Sequence, residues 1–160
     1  MDFTLDQLQA FIVKAQAPHA FGTAKVTKGE ADGAWTIIET DGDFKMVDKW
    51  FGGEPYGGQE VIYYKDKAVW IMVYYGRVYD TKLNANDVYT FLRKSLQFPP
   101  EDKPFRGPDE YTEGDLTYTN AVTGTVDNYS GEEKIFEDGK EIYTATYYGG
   151  LVDQAKDVGF

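Results

Sequence analysis

The chain has 160 residues, the usual size of one domain, and is 42% hydrophobic and 16% aromatic, so it can bury a sizeable core and disorder is not expected. Its net charge is −11 and it has only three Arg, which argues against nucleic acid and anionic membranes and favours a basic protein partner or a cationic ligand. It has no Cys and one His, His19, which removes disulfides, thiolate catalysis and Cys- or His-rich metal sites.

The N-terminus, Met1-Asp2-Phe3-Thr4, has neither the basic nor the apolar part of a leader, and no apolar run reaches the ~18 residues of a spanning helix. A soluble cytoplasmic protein is the expectation. Thr4 followed by Gln7 reads as a capping box, with Phe3 and Leu8 as its hydrophobic staple. Leu8, Phe11, Ile12 and Ala15 then share one helical face, and Pro18 and Gly22 are placed beyond the helix end. His19 is read as a loop residue after that helix. Trp35–Glu39 and Phe44–Trp50 form a hairpin around Thr40-Asp41-Gly42-Asp43, a turn that lacks the spacing of a calcium loop.

The segment from Trp50 to Gly58 carries four glycines, two large aromatics (Trp50, Tyr56) and Glu54. It is either a tight β-connection or a loop that grips a ligand; it is no phosphate loop, because no Gly-Lys-Ser/Thr follows. After it come strands on either side of Lys65-Asp66-Lys67. The run Val69–Tyr75 is apolar at every position and should be buried on both faces, or covered by something other than water. A curled sheet filled by its own side chains, a ligand pocket and a dimer interface all satisfy that demand.

The helix grammar returns at Leu83-Asn84-Ala85-Asn86-Asp87-Val88, with Asn84 as cap, Asp87 in the reciprocal position and Leu83 and Val88 as staple. Val88, Phe91, Leu92 and Ser95 repeat the first helix's apolar face, and Pro99-Pro100 stops the helix. A loop from Phe98 to Asp115 follows, stiffened by Pro104 and Pro108. Its Arg106 either clamps an anionic group or pairs with Asp109, Glu110 or Glu113. The last strands lie on either side of Asp138-Gly139-Lys140.

Residues 58–80 and 131–153 align without a gap at an offset of 73, with 8 of 23 positions identical, Glu60/Glu133 and Tyr74/Tyr147 among them. The expected fold is therefore one α+β domain over residues 1–160, a helix-plus-antiparallel-strands unit present twice (about 3–80 and 83–153). The two helices should lie on one face of a strongly curved antiparallel sheet of seven strands, in the order α-β-β-β-β-α-β-β-β.

The ordered set Gly52-Gly53-Glu54-Pro55-Tyr56-x-Gly58-x-Glu60, Trp70-x-Met72-x-Tyr74-Tyr75-Gly76, Pro104-Phe105-Arg106-Gly107-Pro108 and Tyr148-Gly149-Gly150 resembles a family of bacterial domains of unknown function. Members of that family occur alone or C-terminal to helix-turn-helix regulators. The resemblance implies a stand-alone sensor or partner-binding domain and brings no assigned chemistry.

No catalytic, metal or cofactor motif stands out. The leading expectation is a non-enzymatic module holding a small organic ligand on the helix-free side of the sheet. Trp50, Tyr56, Trp70 and Tyr75 would stack on that ligand, and Glu54, Glu60, Arg106 or Glu133 would fix its polarity. The alternatives are an acidic homodimer or partner-binding protein, and an enzyme using Glu60 and Glu133 as paired carboxylates.

Overall fold

The computed structural model describes residues 2–79 and 82–153. Asp80, which closes the first repeat in the sequence alignment, lies outside them.

Helix α1 (Leu5–Ala20) starts where the sequence places it. The Thr4 hydroxyl accepts from the Gln7 N–H, and the Gln7 side-chain carbonyl accepts from the Thr4 N–H. Leu8, Phe11, Ile12 and Ala15 are all buried, and Phe3 joins Leu8 in one cluster. The C-terminal boundary differs from expectation: Pro18 sits inside the last turn. A proline there costs one intrahelical bond, and the helix still runs on until Gly22, at φ +70°, turns the chain away. His19 is consequently a helix residue and not part of a loop.

Helix α2 (Ala85–Ser95) buries Val88, Phe91, Leu92 and Ser95. Asn84 caps the Asp87 N–H. The return bond differs from that of α1, because the Asp87 carboxylate accepts from the Asn84 side-chain amide at 2.7 Å. An aspartate is one methylene shorter than the Gln7 of α1.

The sheet has nine strands among the described residues: β1 (Thr27–Lys28), β2 (Trp35–Asp41), β3 (Phe44–Gly52), β4 (Tyr56–Tyr64), β5 (Lys67–Val78), β6 (Glu110–Glu113), β7 (Leu116–Thr125), β8 (Asn128–Glu137) and β9 (Lys140–Leu151). All pairings are antiparallel, in the order β1-β2-β3-β4-β5-β9-β8-β7-β6, so the sheet is open. Two strands exceed the expected seven. They are the edge strands β1 and β6, two and four residues long and mostly exposed, and too short to show alternation. The turns Lys65-Asp66 and Asp138-Gly139 have positive φ at both residues, which matches the right-handed twist of a two-residue hairpin.

The central pairing is its own mirror. Trp70 opposes Leu151 and Val78 opposes Tyr143; adding 73 to one member and subtracting it from the other turns either pair into the other, and Tyr74 opposite Tyr147 is the midpoint. Register shifts also recur at equivalent places, Ile62/Tyr63 and Ile135/Phe136.

The first of these shifts explains the apolar run. Val69 is the extra residue, so Val69 and Trp70 are both buried, and beyond them the strand alternates. Met72 is buried, whereas Ile71 and Val73 are half-buried and Tyr75 is 53% exposed. The run is thus not buried on both faces. Both helices pack on the other, inner face. There α1 joins Ile37, Met46, Ile62, Trp70 and Met72, while α2 joins Tyr118, Ile135 and Tyr143. The fold is α+β, with a curved antiparallel sheet.

Candidate functional site

The inner face encloses a cavity of about 230 Å³ between the C-terminal halves of the two helices and the first half of the sheet. Gln16, His19 and Ala20 of α1 and Tyr89, Leu92, Arg93 and Leu96 of α2 form one wall. Ile37, Met46, Asp48, Trp50, Tyr56, Glu60, Met72 and Tyr74 line the sheet side, and Phe105 and Arg106 come from the loop after α2. The expected pocket lay on the helix-free face; this one is on the opposite face. Alternation sends the large inward residues of β3, β4 and β5 towards the helices, and two helices cannot fill all the space above nine strands. Trp50 and His19 stack face to face with ring centroids 5.7 Å apart.

Two carboxylates lie in this cavity. The register of the β3–β4 hairpin puts Asp48 directly opposite Glu60. Asp48 is 5% and Glu60 3% exposed. The Gln16 amide donates to both oxygens of Glu60 at 3.2 Å, and the Tyr74 hydroxyl donates to Asp48 Oδ1 at 2.5 Å. Among the described residues no cation forms an ion pair with either group. Burial pushes Glu60 up to about 8, the charge of Asp48 adding to the effect against the opposing bonds from Gln16 and the field of Arg106. Burial likewise raises Asp48, to about 6, with Tyr74 and Arg106 opposing. The pair therefore holds protons at a pH where exposed carboxyls have lost them. His19 is exposed along its rim, yet desolvation of its stacked ring, with Arg106 and Arg93 nearby, lowers its pKa and keeps it neutral.

The second half treats its equivalent carboxylate differently. Glu133, fully buried, accepts from Arg106 Nη2 at 2.6 Å and Nε at 3.1 Å, from the Tyr118 hydroxyl at 2.9 Å and from the Tyr143 hydroxyl at 2.8 Å. The residue opposite Glu133 is Asn120, which accepts from Tyr147 at 2.7 Å, just as Asp48 accepts from Tyr74. Asn120 thus stands where the first half has Asp48.

Of the residues singled out in the sequence, Trp50, Tyr56, Glu60 and Arg106 meet in the cavity. The others do not line it. Trp70 is fully buried, donating its indole N–H to the Val126 carbonyl at 2.8 Å. Tyr75 points outward, because its odd place in β5 faces it away from the helices. Glu54 accepts from the Val78 N–H and from the Tyr89 hydroxyl, locking the β3–β4 turn onto α2. Most of the Gly-rich segment is strand and only Gly53-Glu54-Pro55 makes the turn, while Trp50, Gly52, Gly53 and Tyr56 line the cavity. Arg106 pairs with none of Asp109, Glu110 or Glu113; its partner is Glu133 on β8. Glu60 and Glu133 face the same side of the sheet, but Glu133 is held by the Arg106 guanidinium outside the cavity lining, and the carboxylate beside Glu60 is Asp48. Sequence reasoning missed Asp48, Tyr74, Gln16 and Arg93. Counting the hairpin register back from the Gly53–Pro55 turn finds Asp48; no sequence signal reveals Gln16 or Arg93.

Among the described residues no group of three or more His, Asp or Glu could hold a metal ion, and no helix is long and apolar enough to cross a membrane. No curated protein and no solved structure matches the chain. A family model described as a domain of unknown function, DUF5680, matches residues 48–152. That stretch begins at Asp48 and holds Glu60, Tyr74, Arg106 and Glu133, while Gln16 and His19 lie ahead of it. Since the match spans well over half of its length, the chain belongs to the DUF5680 family.

Proposed function

We propose that the protein is a non-enzymatic binding or sensor module of the bacterial cytoplasm whose small organic ligand occupies the cavity between the helices and the first half of the sheet. One observation carries this reading. Aromatic rings and two buried carboxylates surround open volume here, whereas in the second half the same space holds the side chains of Tyr118 and Arg106. Apolar walls with a few convergent polar groups are the usual make-up of small-molecule sites. A volume of about 230 Å³ suits a compact ligand, below the ~300 Å³ at which drug-sized sites begin.

The test is a panel of charged and neutral aromatic fragments followed by NMR on the labelled full chain. The expected result is perturbation of Ala20, Met46 and Tyr74 resonances, abolished in Ala20→Phe, whose ring fills the cavity. Silence across the panel, or shifts confined to the outer face, overturns the reading.

The outer face favours a second reading, a homodimer or partner interface. Ile38, Phe51, Tyr75 and Tyr148 all point that way and each is more than half exposed. Sedimentation equilibrium at high concentration decides it: a persistent monomer that captures no basic partner counts against this face as an interface.

A further inference from the structure

Resting on the pocket reading above, we infer that the ligand carries a protonated nitrogen base, an amine, amidine or guanidine, seated on Asp48 and Glu60. The second half of the chain supplies the template. Glu133 is satisfied by four hydrogen bonds, two of them from the Arg106 guanidinium. Each donor fails in the first half. The register puts Met46 opposite Ile62 where Tyr118 opposes Ile135, so the hydroxyl that reaches Glu133 has no equivalent at Glu60. Trp70 replaces Tyr143 at the 73-residue offset, and its N–H is spent on the Val126 carbonyl. The segment joining α1 to β2 offers no arginine; its lysines, Lys25 and Lys28, are exposed, and Lys28 lies over the Trp35 ring.

The first half also adds a negative group, since Asp48 stands in the place of Asn120. It thus has one carboxylate more than the second, and although Arg93 and Arg106 line the cavity, neither forms an ion pair with Asp48 or Glu60. Asp48 Oδ2 accepts no hydrogen bond among the described residues, and since none of their fully buried side-chain oxygens lacks a partner, this atom keeps some exposure where the otherwise buried side chain lines the cavity. Burying carboxylates without a counter-charge is costly, and a ligand cation in the space that Arg106 fills next door removes that cost. Trp50 and Tyr74 also line the cavity, and aromatic rings attract cations.

Proton linkage follows. The groups around the pair are Gln16 and His19 from α1, Tyr56 from β4, Tyr74 from β5, Tyr129 from β8, Tyr89 and Arg93 from α2 and Arg106 from the loop. Arg106 stays charged, and His19 and the tyrosines stay neutral, near neutral pH. Only Asp48 and Glu60 then release protons when a cation binds, and binding tightens as pH rises towards 8.

The experiment is calorimetry on the full chain with benzylamine and benzamidine, against benzyl alcohol as the neutral isostere. The amine or the amidine should bind at least about tenfold more tightly than the alcohol, with a buffer-dependent enthalpy that reports proton release. Asp48→Asn and Glu60→Gln should each lower cation affinity about tenfold while the unfolding midpoint does not fall, because each removes a carboxyl whose ionised form is buried without a counter-charge. Equal binding of benzyl alcohol, no proton release, or affinities within twofold of wild type in both variants would overturn the inference. If neutral fragments occupy the cavity and the cations do not, the pocket reading stands and the charge assignment falls. If no fragment binds at all, both fall together.

Discussion

At Asp48 and Glu60 two carboxyls share a buried space with one amide and one hydroxyl as partners. Their raised pKa values are also statements about stability. In the unfolded chain both ionise in the ordinary carboxylate range, so between that range and the folded values the native state holds more protons. The contribution to stability is complete below the unfolded pKa and is lost as pH rises through the folded pKa, up to about 8 for Glu60. His19 works the other way: its lowered pKa contributes stability above its ordinary value of 6.5, lost as pH falls. Comparing Glu60→Gln with wild type cancels His19. The two should be nearly equal in stability at pH ~5, with the variant ahead by roughly 2–4 kcal/mol at pH ~8.5. Urea denaturation across that range measures it, and a gap that does not widen with pH would show that Glu60 titrates normally.

At the level of elements, the helix starts and the hairpins were legible because they depend on local chemistry. Thr4, Gln7 and Phe3 mark α1 within five residues, and Lys65-Asp66 and Asp138-Gly139 announce turns by residue type. The end of α1 was not, because Pro18 breaks a helix only if its last turn has nothing further to gain; Ala20 is buried and lines the cavity. The edge strands were invisible because two to four exposed residues carry no period. Gly58 and Gly131, the first residues of the two aligned segments, have a packing reason. A Cβ on Gly131 would lie 2.2 Å from the Tyr147 ring, and one on Gly58 would lie 2.3 Å from the Lys49 carbonyl and 2.7 Å from the Tyr74 hydroxyl. Each glycine lets a tyrosine from the neighbouring strand cross to Asp48 or Asn120. Gly131→Ala should therefore cost about 1–3 kcal/mol by overpacking. The Tyr147–Asn120 bond should loosen at the same time, seen as faster exchange of the Tyr147 hydroxyl proton. An alanine accommodated at less than ~0.5 kcal/mol would contradict this account.

Across the whole molecule, the sequence repeat has an offset of 73, which covers the strands on each side of the midpoint. The site depends on the next strands out, and there the offset changes. Asp48 opposes Glu60 and Asn120 opposes Glu133, so β3 and β7 are equivalent at an offset of 72. A gapless alignment cannot cross that step, which is why the contrast between Asp48 and Asn120, and between Met46 and Tyr118, stayed hidden while Glu60 and Glu133 were matched. The contrast makes the cavity: where Tyr118 fills the second half and donates to Glu133, Met46 leaves space and donates nothing. Met46→Tyr should then convert the first half towards the second. Its ring would enter the existing volume of about 230 Å³, so the usual cost of a larger core residue is reduced, and its hydroxyl could reach Glu60. The variant should keep its unfolding midpoint within a few degrees of wild type and lose more than about tenfold in affinity for benzylamine. It should also narrow the pH-dependent gap to Glu60→Gln, because a donated hydrogen bond favours the ionised carboxylate. If Met46→Tyr folds and binds benzylamine unchanged, the open volume beside Glu60 is not the binding site, and the asymmetry between the halves has another origin.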